Sequence, residues 1–200
     1  IRLTTAGFTV ILAATALAAD QTWNTSGPSN TWNTTDLNWD ALAAWTNGNT
    51  AIFSGTGEAI SVGTVTAAGM TFSGTGYTLS SGTITHSGTI TANESATVNS
   101  NIALSANQSW TTAAGKTLTL GGAISGSSTL TYGGSGTYVI NGANSNTGNL
   151  TIDTATVHVN AGKTLLGYNA GWIGRSVTLQ NGGVLEAYDY ANNGLWGGPS

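Results

Sequence analysis

The chain has 200 residues, of which only 6% are charged, and its formal net charge at pH 7 is -4. Its 4 Lys and Arg residues are too few to form the basic patch that nucleic-acid binding requires, which excludes a nucleic-acid partner. The sequence contains no cysteine, so a secreted form would take its stability from a packed core and continuous sheet rather than from disulfides.

Residues 1–19 have the pattern of a secretory signal peptide. Arg2 precedes an apolar run over residues 3–17, and small residues close the segment, which predicts cleavage after Ala18 or Ala19. Two alternative interpretations of this segment, a membrane-spanning helix and a type IV pilin leader, are weaker. The run is shorter than the about 20 apolar residues of a membrane-spanning helix, and a type IV pilin leader would have an acidic residue where Leu12 stands. The chain opens with Ile rather than Met, so we expect its true start to lie upstream.

Residues 20–50 hold an unusual concentration of tryptophan before the regular part of the chain begins. Four of the 7 tryptophans lie here, namely Trp23, Trp32, Trp39 and Trp45. Terminal repeats of solenoids are commonly atypical and cover an apolar, unpaired end, which predicts an N-terminal cap. The alternative is a glycan-stacking platform, since the faces of indole rings stack on sugar rings.

Residues 51–187 carry apolar positions that recur every 19 or 20 residues, and this period predicts a solenoid. The first stripe is Ile60, Leu79, Val98, Leu118, Tyr138, Val157 and Val177. The second stripe is Ile90, Trp110, Leu130 and Leu150. The third stripe is Ile84, Leu104 and Ile124, which resumes after a missing member at Leu165 and Val184.

Three stripes with one period predict a right-handed parallel β-helix with three sides. Local alternation of polar and apolar residues, as in residues 117–120, predicts strands, with Leu118, Leu120, Tyr138 and Ile140 pointing inward. Gly and Asn pairs mark the corners between strands. An antiparallel sandwich also has short strands with regular turns, but it does not predict three stripes with one period.

One set of corners also recurs with this period, which predicts side-chain amides stacked from coil to coil. Its members are Gly121, Asn141, Asn160 and Asn181. Residues 188–200 read as the start of a further coil, and we expect the natural chain to continue beyond Ser200.

Several segments resemble the autotransporter-associated β-strand repeat proteins, also known as passenger-associated transport repeat proteins. Residues 31–53 and 69–79 look like the opening of that family, and residues 130–144 are similar to its repeat unit Leu-Thr-Lys-x-Gly-x-Gly-Thr-Leu-x-Leu-x-Gly-x-Asn. Tyr132 replaces the usual Lys, and residues 145–148 replace the following Tyr-Thr-Gly. The resemblance covers residues 20–187 and implies a large secreted β-helical protein of Gram-negative bacteria, often with a C-terminal outer-membrane barrel.

No catalytic, metal or cofactor-binding constellation is evident in the sequence. Glycoside hydrolysis needs two carboxyl groups facing one cleft, and stacking by one period brings no acidic residue beside Asp153. Alternation points His158 outward, and His86 lies next to a corner, so both histidines are interpreted as surface residues. We therefore predict a protein that is not an enzyme and has no cofactor.

The function predicted from the sequence is that of a secreted structural or adhesive passenger segment, displayed at a Gram-negative cell surface. Its expected partners are surface glycans or host and cell-surface molecules, self-association is left open, and membrane contact would come only through a missing C-terminal part. Two alternatives belong to other classes. One is the non-catalytic portion of a carbohydrate-active β-helix, and the other is a glycan-binding module that uses the N-terminal tryptophans.

Overall fold

The structure is a computed structural model that describes residues 18–167 and 175–187. Within those two ranges the regular elements are all short β-strands. The strands are β1 (Asp20–Thr22), β2 (Thr31–Trp32), β3 (Thr50–Phe53), β4 (Ala59–Val62), β5 (Thr64–Ala67), β6 (Gly69–Phe72), β7 (Thr78–Ser80), β8 (Thr83–His86), β9 (Ile90–Ala92), β10 (Ala96–Val98), β11 (Asn101–Leu104), β12 (Gln108–Thr112), β13 (Thr117–Leu120), β14 (Ile124–Gly126), β15 (Leu130–Gly133), β16 (Thr137–Ile140), β17 (Leu150–Asp153), β18 (Thr156–Val159), β19 (Val177–Gln180) and β20 (Val184–Ala187).

The strands form three parallel sheets. The first sheet has the order β1-β3-β6-β9-β12-β15-β17-β19, the second β2-β4-β7-β10-β13-β16-β18-β20, and the third β14-β11-β8-β5. Because consecutive strands pass from one sheet to the next and every ladder between named strands is parallel, the chain winds as a three-sided β-solenoid. This confirms the β-helix and excludes the antiparallel sandwich. The right-handed sense of the coil stays a prediction.

Alternation along each strand builds the core, because successive side chains point to opposite faces. Strand β13 has the burial order intermediate, buried, intermediate, buried, and β16 repeats it. The four predicted inward residues of these strands, Leu118, Leu120, Tyr138 and Ile140, are at most 1% exposed. The predicted core assignment of these two strands is confirmed.

The first predicted stripe is wrong at two of its steps. Val98 pairs with Leu120 rather than Leu118, which instead pairs with Ala96. Val157 pairs with Leu185, whereas Val177 lies in the first sheet opposite Leu150. A shift of two residues keeps every side chain on the same face of a strand, so burial alone could not reveal the longer coils.

The other two stripes contain the same kind of error. Trp110 pairs with Tyr132 rather than Leu130, and Leu104 pairs with His86 rather than Ile84. Val184 does not belong to the third stripe, because it lies in the second sheet opposite Thr156. The physical reason is again that coils differ in length, so one fixed period cannot follow every ladder.

The missing member of the third stripe is a buried asparagine. Asn144 is 5% exposed, and its Oδ1 accepts a hydrogen bond from the Ile124 backbone N–H at 2.8 Å. Its Nδ2 donates to the carbonyl oxygen of Leu165 in the next coil at 3.4 Å. A side-chain amide thus adds to the backbone hydrogen bonds that Ser145 and Thr147 donate to β14, and an apolar pattern could not find it.

The predicted corner ladder is confirmed at one step. Asn160 Nδ2 donates to Asn141 Oδ1, which joins two stacked corners. Asn181 lies elsewhere, because its Nδ2 donates to Asp153 Oδ1 at a corner of the first sheet. The corners stack closely, as Gly88 illustrates: an added Cβ there would lie 1.9 Å from the Ala68 carbonyl oxygen.

Two predicted segments lie largely or wholly outside the described residues. These are the signal peptide over residues 1–19, of which only Ala18 and Ala19 are described, and the further coil over residues 188–200. The boundaries of the cap at 20–50 and of the β-helix at 51–187 stay predictions. Within the described ranges, no helix has the length and apolar character needed to cross a bilayer.

Candidate functional site

The four N-terminal tryptophans form one buried aromatic cluster. Trp23, Trp32, Trp39 and Trp45 are 0–3% exposed, and Phe53 packs among them. The ring centroids of Trp39 and Trp45 lie 4.5 Å apart, and Trp32 lies 5.2 Å from Trp39 and 5.1 Å from Trp45 with edge-on geometry. Edge-on and tilted aromatic pairs each contribute about 0.5–1.5 kcal/mol beyond area burial. The cluster therefore fills the N-terminal end of the solenoid.

Hydrogen bonds orient two of the indoles. Trp23 Nε1 donates to Glu58 Oε1 at 2.6 Å, and Trp45 Nε1 lies 3.2 Å from both Asn47 Oδ1 and the Thr66 carbonyl oxygen. Two other indole nitrogens, those of Trp32 and Trp39, are buried without a hydrogen-bond acceptor in the described part of the chain. Those two rings are held by packing alone.

The segment that carries the cluster also closes the edge of the third sheet. Gly48 N–H donates to Thr66 O at 2.8 Å, and Thr66 N–H donates to Asn47 Oδ1 at 2.8 Å. Ala68 N–H donates to Asn49 O at 2.9 Å. The backbone N–H and carbonyl groups of Thr66 and the N–H of Ala68, at the outer edge of β5, are thereby paired, which leaves less of this edge open to a foreign strand.

The edge of the first sheet is closed in a similar way. Thr22 N–H donates to Asp40 Oδ1 at 2.8 Å, and Asp40 N–H returns a bond to Thr22 O at 2.6 Å. Gln21 adds two more bonds, one from its Nε2 to Ala44 O and one accepted by its Oε1 from Thr46 N–H. On the second sheet, Asn38 Nδ2 donates to Thr31 O at 2.7 Å. All three sheets thus have side-chain or loop partners at this end.

Burial of the tryptophans counts against the glycan-stacking prediction for Trp23, Trp32, Trp39 and Trp45. A sugar can stack only on an exposed ring face, and each of these rings is almost completely covered by protein. The same burial, together with the closed edges, favours the cap.

Most of the carboxylates in the described part of the chain have partners, and they are dispersed rather than gathered in one cleft. Ser29 donates to Asp36 at 2.7 Å, and this hydrogen bond lowers the pKa of that carboxyl from its ordinary value. Lys116 Nζ lies 2.6 Å from Glu94 Oε2 in a half-exposed ion pair. Among the described residues, no group of three or more His, Cys, Asp and Glu could hold a metal ion.

His86 is not a surface residue, which corrects the interpretation from sequence. It is completely buried, and its Nδ1 lies 2.6 Å from Gln108 Oε1 while Gln108 Nε2 donates to its backbone oxygen. Trp110 Nε1 donates to the same Gln108 Oε1 at 2.8 Å. Desolvation lowers the pKa of His86 to about 4, although the Gln108 hydrogen bond opposes this change. The neutral imidazole is a core residue held by a polar network.

His158 lies on the outer face, as alternation predicts. It is half-buried on β18 beside Glu186 of the neighbouring strand, and its Nδ1 lies 2.7 Å from Glu186 Oε2. Alternation therefore predicted the outward position of His158 correctly, whereas the surface position inferred for His86 from its neighbouring corner was wrong.

The outer faces of the solenoid carry rows of hydroxyl groups. On the first sheet Thr71, Thr91 and Thr111 are paired along one row. Thr131, Thr151 and Thr178 are paired along another row of the same face. Neighbouring hydroxyl-bearing residues lie about 4.8 Å apart, the spacing of adjacent strands. This face is polar and almost uncharged, so it can offer hydrogen bonds without attracting polyanions or polycations.

The chain is similar to a part of one much longer protein. The chain is 31% identical over 195 residues to the protein named Adhesin BmaC autotransporter of Brucella suis biovar 1 (strain 1330). The match covers 89% of this chain but only 5% of the relative, so the chain spans about a twentieth of that protein's length. No protein family and no solved structure matches the chain. The chain is thus distantly similar to one part of an autotransporter adhesin.

Proposed function

We propose that this chain is a structural and adhesive passenger segment, secreted and displayed at a Gram-negative cell surface. The observation that carries the proposal is the three-sided β-solenoid over the region similar to an autotransporter adhesin. We further propose that its coils are autotransporter-associated β-strand repeats, on the strength of the motifs in residues 31–53 and 130–144.

The geometry suits a rod that carries adhesive surfaces away from a membrane. Each coil contacts mainly the coils above and below it, so additional coils lengthen the rod without changing its cross-section. The tryptophan cap, residues 20–50, keeps the N-terminal end of the rod from pairing with another sheet edge.

The outer surface favours neutral, hydroxyl-rich partners such as surface glycans or uncharged patches on host and cell-surface molecules. Rows of Thr side chains on the first sheet provide donors and acceptors at a regular spacing. Contact with a membrane would come through parts of the protein outside this chain, and self-association would use the same neutral faces.

An enzymatic role has less support. The distant relative is named as an adhesin, and four of the described carboxylates, those of Asp36, Glu58, Glu94 and Asp153, have different partners on different parts of the solenoid. The glycan-binding alternative based on Trp32 and Trp39 lacks exposed ring faces.

Surface display can be tested with two neighbouring threonines, because the chain has no cysteine of its own. Thr111 is exposed and Thr112 is 0% exposed, so Thr111→Cys and Thr112→Cys form a matched pair. We expect a membrane-impermeant thiol reagent to label Thr111→Cys on intact cells, and to label Thr112→Cys only after denaturation. Labelling of Thr111→Cys only after cell lysis would refute surface display.

Adhesion is tested separately with the natural full-length protein. Deletion of residues 20–187 should reduce attachment of cells to glycan-coated and host-cell surfaces, while the amount of displayed protein stays the same. Unchanged attachment at equal display would leave the rod as a spacer and refute the adhesive part of the proposal.

A further inference from the structure

Among the described residues, four asparagines share one structural role, and all but Asn47 lie at the start of a strand. In each case the side-chain Oδ1 accepts a hydrogen bond from the backbone N–H of a residue in the next coil. The residue directly after the asparagine donates its own N–H to the carbonyl oxygen of that same next-coil residue. The members are Asn47, Asn101, Asn107 and Asn149. The amide oxygen thus extends the ladder by one bond.

Two of these asparagines also begin an Asn-x-Ser/Thr sequence, the acceptor pattern for N-linked glycosylation. Asn107 is followed by Ser109, and Asn149 is followed by Thr151. Because residues two apart on a strand point to the same face, each amide and its partner hydroxyl share the outer face of the first sheet. Both asparagines are exposed.

The hydrogen bonds leave the reactive atom of each side chain available. Oδ1 of Asn107 accepts from Thr129 N–H at 2.9 Å, and Oδ1 of Asn149 accepts from Ser176 N–H at 2.9 Å. Within residues 18–167 and 175–187, neither Nδ2 donates a hydrogen bond, and the hydroxyls of Ser109 and Thr151 are likewise unbonded to protein. An N-linked sugar replaces a hydrogen on Nδ2 and retains the amide carbonyl, so the ladder bond survives.

The other three Asn-x-Ser/Thr sequences lack this arrangement. Asn24 uses its Nδ2 to donate to Asp40 O at 3.0 Å. The Thr35 hydroxyl donates to Asn33 Oδ1 within its own turn. The hydroxyl that follows Asn93 by two residues, on Ser95, accepts a bond from a neighbouring strand. In each of the three, the amide or the hydroxyl is already engaged.

We propose that Asn107 and Asn149 are acceptor sites for N-linked glycosylation by a transferase that uses a phosphate-activated sugar. Nδ2 forms a bond to the anomeric carbon and loses one proton, while the bond from that carbon to the phosphate oxygen breaks and its electron pair leaves with the phosphate. The two sites occupy one row, separated by Thr129, because Leu130 pairs with both Gln108 and Leu150. Two strand spacings of about 4.8 Å place the sugars about 10 Å apart on one face.

Asn101 supplies a control within the same molecule. It is exposed, and its Oδ1 accepts from Ala123 N–H at 3.0 Å, but the residue two positions on is Ala103, which has no hydroxyl. It therefore shares the geometry of the two proposed sites and lacks only the acceptor pattern.

The test is peptide mass spectrometry on the full natural protein isolated from its own organism. Digestion after aromatic residues and leucine is required, because Lys and Arg are too few for useful tryptic peptides and cleavage after Leu104 separates Asn101 from Asn107. We expect sugar mass on the peptides with Asn107 and Asn149 and none on the peptide with Asn101. Unmodified Asn107 and Asn149 would overturn the proposal.

Three outward substitutions sharpen the result. Ser109→Ala and Thr151→Ala should each abolish modification of the asparagine two residues earlier, whereas Ala103→Thr should create modification at Asn101. Modification that persists after Ser109→Ala would show that the acceptor pattern does not direct it and would overturn the assignment. Once the sites are established, a variant without residues 1–19 distinguishes the donor: retained sugar indicates a nucleotide-activated donor in the cytoplasm, and lost sugar a lipid-linked donor beyond the inner membrane.

Discussion

Acidification should weaken the fold through a single buried group, His86. Its neutral ring lies in the core against Trp110, and the ring Nδ1 lies 2.6 Å from Gln108 Oε1. Gln108 Nε2 donates to the backbone oxygen of His86. The strands packed around it, β5, β11 and β12, contain no acidic, basic, histidine or tyrosine side chain, so no anion faces the ring to stabilise a positive charge. Its own strand, β8, adds no other titratable group.

The magnitude follows from the difference in pKa between the two states. Burial holds the pKa of His86 at about 4, against 6.5 in the unfolded chain. The folded pKa is the lower one, so the unfolded state binds the proton first and the free energy of unfolding falls as pH falls from about 6.5 to about 4. At roughly 1.4 kcal/mol per pKa unit, the loss is about 3 kcal/mol.

The assay is urea unfolding followed by tryptophan fluorescence at pH 7, 5.5 and 4. His86→Leu is the test variant, because the ladder partner of His86 in the next coil is Leu104 and the core accepts a leucine in that column. Protonation of the carboxylates affects both proteins equally and cancels in the comparison. We expect the variant to lose about 3 kcal/mol less than the wild type between pH 7 and pH 4. Parallel pH profiles would refute the reasoning.

Three further predictions test the architecture. Leu118→Asp should cost more than about 4 kcal/mol in urea unfolding because it places a carboxylate in the core, whereas Thr119→Asp on the outer face should cost less than about 1 kcal/mol; equal costs would contradict the assignment of faces. Deletion of residues 116–135 removes one whole coil, so the next coil can take the place of the deleted one and the circular dichroism spectrum should be preserved. Deletion of ten residues, half a coil, should unfold the protein. Equal damage from the two deletions would argue against stacked coils. Trp32→Ala and Trp39→Ala should each lower stability by about 3–5 kcal/mol and promote aggregation, while loss of glycan retention at an unchanged melting temperature would instead support a binding platform.

The sequence predicted the architecture because the solenoid repeats one geometric constraint many times. Every coil must return an inward side chain to the same column, and this requirement leaves the apolar stripes. The period did not give the register, since the step from Val98 to Leu120 is longer than its neighbours and a shift of two residues preserves the face. The length of a coil depends on the length of its corners. Corners contain few apolar residues, so the apolar pattern does not show how long each corner is.

The features missed by sequence reasoning are polar groups inside the core. His86 follows Ile84 by two residues on β8, so alternation alone would have placed it inward. Its position next to a corner instead led to its interpretation as a surface residue. Asn144 could not be found by an apolar pattern, because its burial depends on bonds to Ile124 and Leu165 in different coils. The hydrogen bonds that close the sheet edges likewise depend on loops with no repeat.

The closed edges at the tryptophan end have a consequence for how the chain acquires its fold. In the ladders of the middle coils, partners lie 18–22 residues apart, which is about a tenth of the chain, so no coil must wait for a distant segment before it can pair. The N-terminal cluster is sealed on its outer side, so further coils can pair only on its inner side. Coils of this kind can therefore form one after another, each on a neighbour that is already folded.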